Sequence, residues 1–158
     1  MRSVAWILVT VAQAISMQPP VTFLTGVELL RAIENAPEEI PGQPGLYSLR
    51  LSATSEYPVI GIRRTRPGRS ELHTNFTDVW YVLQGDATFV TGGAVVDGIE
   101  TQPGEIRGRA ISLGDSRHLK KGDFAVVPAG VPHWISEIEG KEFLYIVVKV
   151  PITMQQRR

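Results

Sequence analysis

The sequence contains no cysteine. That excludes a disulfide framework, a thiolate metal site and a cysteine nucleophile, so any bound metal must be held by nitrogen and oxygen. Charge imbalance is also missing: 16 Lys and Arg residues face 16 Asp and Glu residues. No overall field points to nucleic acid or to an anionic membrane, and the expected partner is a small-molecule substrate or ligand, or a second copy in a homodimer. Long apolar runs are lacking too. The stretch from Val4 to Val11 is too short to span a bilayer as a helix, so no stable membrane anchor is expected. Alternation of strands with helices is absent, which disfavours a parallel sheet.

What is present suits one domain: 158 residues, 43% of them hydrophobic, can bury a core but leave no room for a second. Residues 1–16, MRSVAWILVTVAQAIS, carry one arginine, an apolar stretch and Ala12-Gln13-Ala14 as an A-x-A site. They read as a signal peptide, which implies a secreted or periplasmic protein. A first strand of the fold is the alternative, and a true start at Met17 would leave a cytoplasmic protein.

Residues 17–45 read as an N-terminal helix and linker. Thr25 can cap a helix that Glu28 completes as a capping box, with Leu29, Leu30 and Ile33 on its apolar face. PEEIPGQPG then breaks the chain, and residues 46–158 read as strands. The expected strands are 46–53, 58–64, 71–75, 78–83, 87–91, 106–111, 124–127, 133–137 and 143–150, separated by Pro-Gly, Gly-Gly and Asp-Gly turns. Such spacing argues for an all-β antiparallel sandwich or barrel. The run FLYIVVKV from Phe143 to Val150 is apolar on both faces and reads as a buried strand.

The polar residues in these strands carry the functional signal. In ELHTNFTD, side chains two apart share a face, so Glu71, His73 and Asn75 point one way, and a bend near Thr77 would return Asp78 towards His73. Buried polar groups of this kind need hydrogen bonds or a metal. His133 follows a tight turn through Pro128 and Gly130. His118, in DSRHLKKGD, reads as a solvated loop position. Trp80, Tyr81 and Phe89 read as core, and Trp134, beside His133, as the best lining residue for a pocket. Arg63, Arg64, Arg66 and Arg69 crowd one short segment. It reads either as a solvated strand end or as the source of one arginine, Arg64 the candidate, that pairs with a substrate carboxylate.

From Gly122 to Glu137 the chain matches the second motif of the cupin superfamily, G-x5-P-x-G-x2-H-x3-N, at Gly122, Pro128, Gly130 and His133, with Glu137 in place of asparagine. The first motif, G-x5-H-x-H-x(3,4)-E-x6-G, is matched at His73 and Gly85, with Glu71 at the first histidine and Asp78 at the glutamate. In a second register His73 and Asn75 take the two histidine positions, but the spacing to Asp78 then falls short. The chain therefore resembles a single-domain cupin. The resemblance implies an antiparallel jelly-roll β-barrel in which Glu71, His73, Asp78 and His133 surround one divalent metal ion.

Two imidazoles with one or two carboxylates suit iron, manganese, zinc or nickel alike. The resemblance leaves two functions open: a small-molecule metalloenzyme of oxygenase, isomerase or lyase type, with Glu71 or Asp78 moving a proton, or a non-catalytic cupin that binds or senses a ligand or metal. A hydrogen-bonded polar cluster without metal is the plain alternative for the site.

Overall fold

The computed structural model describes residues 21–52 and 56–152, so the expected signal peptide and the alternative start at Met17 lie outside the described residues. The helix α1 (Gly26–Glu34) forms where its capping signal indicates. Thr25 Oγ1 accepts from the Glu28 amide at 3.3 Å, and Glu28 Oε2 accepts from the Thr25 amide at 2.8 Å. Each bond satisfies a backbone N–H that the helix leaves without an internal partner. Ile33 is fully buried, Leu29 and Leu30 half-buried. Ile33 lies over Gly61, where a Cβ would come within 2.5 Å of Ile33 Cγ1; the missing side chain lets the helix settle on the sheet.

Twelve strands follow: β1 (Glu38–Glu39), β2 (Leu46–Arg50), β3 (Val59–Arg64), β4 (Ser70–His73), β5 (Phe76–Thr91), β6 (Ala94–Val96), β7 (Ile99–Gln102), β8 (Glu105–Gly108), β9 (Ala110–Ser112), β10 (Asp115–Lys120), β11 (Phe124–Val127) and β12 (His133–Pro151). Every pairing among them is antiparallel, in line with the expected fold class. The large sheet runs β1-β2-β3-β12-β4-β8-β7, with β5 joined to β12 on one side and to β11 and β10 on the other. β6 and β9 form a separate pair.

Five expectations about the strands need correction, one being that 106–111 divides between β8 and β9, which belong to different sheets. Residues 78–83 and 87–91 belong to one strand, because Gly85 bends β5 without ending it: it has φ 82°, and a Cβ there would sit 2.3 Å from the Glu142 carbonyl oxygen. Likewise 133–137 and 143–150 join into β12, whose register shifts at bulges against β5. The segment around His118 is strand β10, not loop, although His118 itself is exposed and lies 3.6 Å from Asp86 and 3.5 Å from Glu139. Finally, β4 stops at His73, and the chain bends at Thr74 and Asn75 before β5 begins, earlier than the expected bend at Thr77.

The long strands β5 and β12 carry most of the core. Trp80 stacks on Tyr145 with ring centroids 4.4 Å apart and planes 7° from parallel, and Phe89 packs on Trp80 at 5.0 Å. Val82, Ile135, Phe143 and Val147 complete the cluster. Each fully buried apolar side chain of this size contributes about 1.5–3 kcal/mol to stability. Tyr81, expected in the core, points outward and is 46% exposed, since it alternates with Trp80 and Val82.

Candidate metal centre

The site is assembled by strand register. His133, the first residue of β12, stands directly opposite Glu71 in β4. Across the other edge of β4, Arg107 stands opposite Glu71 and Glu105 opposite His73. In β5, Asp78 faces Lys149 of β12. Three functional side chains thus each meet a partner of complementary charge or hydrogen-bonding capacity on a neighbouring strand, at the spacing where cross-strand side chains touch.

His73, Asp78 and His133 are each 2% exposed. One donor atom from each of Glu71, His73 and His133 lies within 4.8 Å of the others. Asp78 is adjacent, with Oδ2 3.4 Å from His73 Nε2 and 3.7 Å from His133 Nε2. Lys149 Nζ, however, donates to both Asp78 oxygens, at 3.1 and 3.2 Å. Of the four expected ligands, Glu71, His73 and His133 form one group, and both carboxylates are held by cations, Glu71 by Arg64 and Arg107 and Asp78 by Lys149.

The remaining ring nitrogens decide what the convergence means. His73 Nδ1 is 2.6 Å from Glu105 Oε2, and His133 Nδ1 is 3.2 Å from the Val131 carbonyl oxygen. Both partners are acceptors, so each Nδ1 carries a hydrogen, and a ring that is neutral then turns its Nε2 lone pair inward. Neither buried Nε2 has a hydrogen-bond partner. With the Glu71 and Asp78 oxygens 3.4–3.5 Å from His73 Nε2, this cluster favours a positive species at its centre, either a proton on His73 or a metal ion. The donor set fits a divalent metal ion.

The electrostatics point the same way. Burial opposes the charge on Glu71, but His73, Arg107 and Arg64 outweigh it and hold its carboxyl well below the usual carboxylate range. Arg64 Nη2 lies 3.0 Å from Glu71 Oε1, and Arg107 Nη1 lies 3.0 Å from Oε2. Burial also disfavours charge on His73, yet Asp78, Glu105 and Glu71 raise it from 6.5 to about 10. His133 is pushed down, mainly by burial. Asp78 is lowered despite burial because His73 and Lys149 face it. Without a metal, the cluster takes up a proton on His73.

An inner cavity of about 210 Å³ meets this cluster at its carboxylates, Glu71 and Asp78, and not at the histidines; Arg64, Trp80, Tyr145 and Lys149 also line it. Arg64 is 4% exposed and donates from Nε to the Tyr145 hydroxyl at 2.9 Å, so it holds Glu71 from within the barrel and does not reach over the mouth. Burial pushes the Tyr145 phenol up to about 12. Neither Asn75 nor Trp134 lines the cavity: Asn75 Nδ2 donates to the Pro103 carbonyl and Trp134 Nε1 to the Gly68 carbonyl. Ile40 and Gln43, from the segment before β2, line the cavity instead.

Sequence reasoning missed Glu105, Arg107 and Lys149. Lys149 had a visible signal: it is the one charge inside FLYIVVKV, a run read as apolar on both faces. Glu105 and Arg107 alternate about Ile106 after a Pro-Gly turn, which marks a polar strand face, though nothing local says which strand they oppose.

A sequence profile described as cupin matches residues 61–156. The chain belongs to the cupin family. No curated protein matches the sequence significantly. Among solved structures, a putative sugar phosphate isomerase from Acidithiobacillus ferrooxidans is similar, with TM-score 0.57, 18% identity, and coverage of 83% of this chain and 76% of that one. An uncharacterised Klebsiella pneumoniae protein with a double-stranded β-helix domain has TM-score 0.51 at 18% identity over 91% of this chain and 92% of that one. A predicted oxalate decarboxylase from Thermotoga maritima has TM-score 0.52 at 13% identity, over 72% and 87% respectively. At these identities the likeness establishes the cupin fold, and a fold that hosts several activities assigns none of them.

Proposed function

We propose that this cupin holds one divalent metal ion at Glu71, His73 and His133 and acts on a small molecule in the inner cavity. The observation that carries the proposal is the pair of buried, partnerless Nε2 atoms beside Glu71. An ion there would act as a Lewis acid on a substrate oxygen, and iron, manganese, nickel and zinc all suit the donors. Glu71 is the ligand, because two guanidiniums fix its carboxylate against both imidazoles. Asp78 moves the proton. It lines the inner cavity, and Lys149 keeps it ionised and oriented. Arg64 is the substrate-orienting residue among those expected, since it alone of Arg64, Asn75 and Trp134 lines the cavity.

One observation favours a second reading. Each carboxylate of the cluster has a cation: Glu71 has Arg64 and Arg107, Asp78 has Lys149, and Glu105 has Arg107. Such a cluster can stand without metal as a polar centre under a binding cavity. A screen of small oxygenated molecules against metal-loaded protein, with Asp78→Asn in parallel, separates the readings. Turnover that the variant loses while it retains its ion supports the enzyme. Ligand capture without turnover, or turnover unchanged in the variant, contradicts it.

A further inference from the structure

Outside the inner cavity lies a larger one of about 500 Å³, which shares Ile40, Gln43, Arg107 and Lys149 with it. Its charged lining is uneven: Arg69, Arg107 and Lys149 face a single carboxylate, Glu105. Arg107 and Lys149 are already engaged by the acids of the inner cluster. Arg69 is different. Half-buried, it donates from Nη2 to the Arg107 carbonyl oxygen at 3.2 Å, and it has no carboxylate partner among the described residues.

Charge balance across the two cavities gives this arginine a use. Among the residues that line the two cavities, Arg64, Arg69, Arg107 and Lys149 are four cations, and Glu71, Asp78 and Glu105 are three carboxylates, which leaves one positive charge in excess. A divalent ion at the inner cluster raises the excess to three. Positive charge confined in a partly dry site is costly unless an anion answers it.

We propose that the outer cavity is an oxyanion site in which Arg69, supported by Arg107 and Lys149, binds the carboxylate or phosphate group of the substrate while the rest of that molecule reaches the inner cavity. The substrate is thus a small organic acid or phosphate ester. Arg69 supplies a planar fork suited to two oxygens at once, and the apolar walls at Ile40, Pro41 and Phe76 suit a short carbon skeleton beside the charged head. The substrate class rests on the metal-centre reading, but the anion site itself does not, since Arg69 is without an acid whether or not a metal is bound.

The test is calorimetric titration of the untagged protein, metal-free and metal-loaded, with succinate and with inorganic phosphate as separate probes. Binding of either probe that weakens about tenfold in Arg69→Gln, and less in Arg69→Lys, is the expected result. Which probe binds more tightly distinguishes a carboxylate from a phosphate substrate. Gln102→Glu, at an exposed residue of the cavity wall, guards against a folding defect in the arginine variants: it adds an anion without touching Arg69 and is also expected to weaken both probes. No binding of either probe to the wild type, or binding unchanged in Arg69→Gln and Gln102→Glu, overturns the proposal. Metal content is measured on the same samples. A full equivalent of metal without anion binding defeats this inference alone, and anion binding without metal defeats the metal-centre reading alone.

Discussion

His73 and His133 stand on the adjacent strands β4 and β12 with ring centroids 5.1 Å apart, and each Nδ1 meets an acceptor behind its ring. Their Nε2 atoms are left for whatever occupies the space between. That relationship organises the expected behaviour of the surrounding residues.

Glu105 orients His73 through the 2.6 Å contact at Nδ1. Glu105→Ala is expected to weaken metal affinity by about 10–100-fold while the protein stays folded. Competition against a chelator of known affinity measures this, and an unchanged affinity would show that the carboxylate does not position the ring.

Lys149 compensates a carboxylate that is 2% exposed. Lys149→Met leaves Asp78 buried without the cation that binds both its oxygens, with only His73 still facing it, at a cost of up to about 3–5 kcal/mol in urea unfolding. Adding Asp78→Asn removes the stranded charge, so the double variant is expected to recover most of that loss. A double variant no more stable than Lys149→Met would mean that the pair does not carry the interaction.

Protonation of the metal-free chain follows from His73, raised from 6.5 to about 10. Because the folded value lies above the unfolded one, the charged ring stabilises the fold fully below pH 6.5, and this contribution is lost as the pH rises through about 10. The stability advantage of metal-free wild type over His73→Gln should narrow across that window. Metal uptake at about pH 8 should release close to one proton, readable in a weakly buffered titration.

Gly85 allows β5 to turn the corner of the barrel. Gly85→Ala places a Cβ 2.3 Å from the Glu142 carbonyl oxygen at a φ of 82°, and is expected to destabilise the protein by about 2 kcal/mol or more. A thermal midpoint equal to wild type would contradict the reading of the bend.

The legible part of the site was the part written locally. The spacing of His73, Asp78 and Gly85, and of Gly122, Pro128, Gly130 and His133, lies within single turns and strands, and it led to the barrel and to three of the converging donors. What stayed hidden depends on register between distant strands. That Glu105 backs His73 and Lys149 caps Asp78 follows from β4 pairing with β8 and β5 with β12, which no local pattern specifies. Glycine misled in the other direction: the expected breaks between 78–83 and 87–91 and between 133–137 and 143–150 contain Gly85 and Gly140, which sit within continuous strands, because a positive φ can bend a strand as well as end it. Arg64 carried too little information to separate a mouth residue from a buried partner of Glu71, and its neighbour Arg69 took the outer place.

The central claim is the metal centre, and elemental analysis of the untagged protein beside His73→Ala/His133→Ala tests it most directly. The account predicts about one equivalent of iron, manganese, zinc or nickel in the wild type, and its loss in the double variant. A wild type that stays metal-free after reconstitution with each of these ions, or a double variant that binds as much as the wild type, would contradict it.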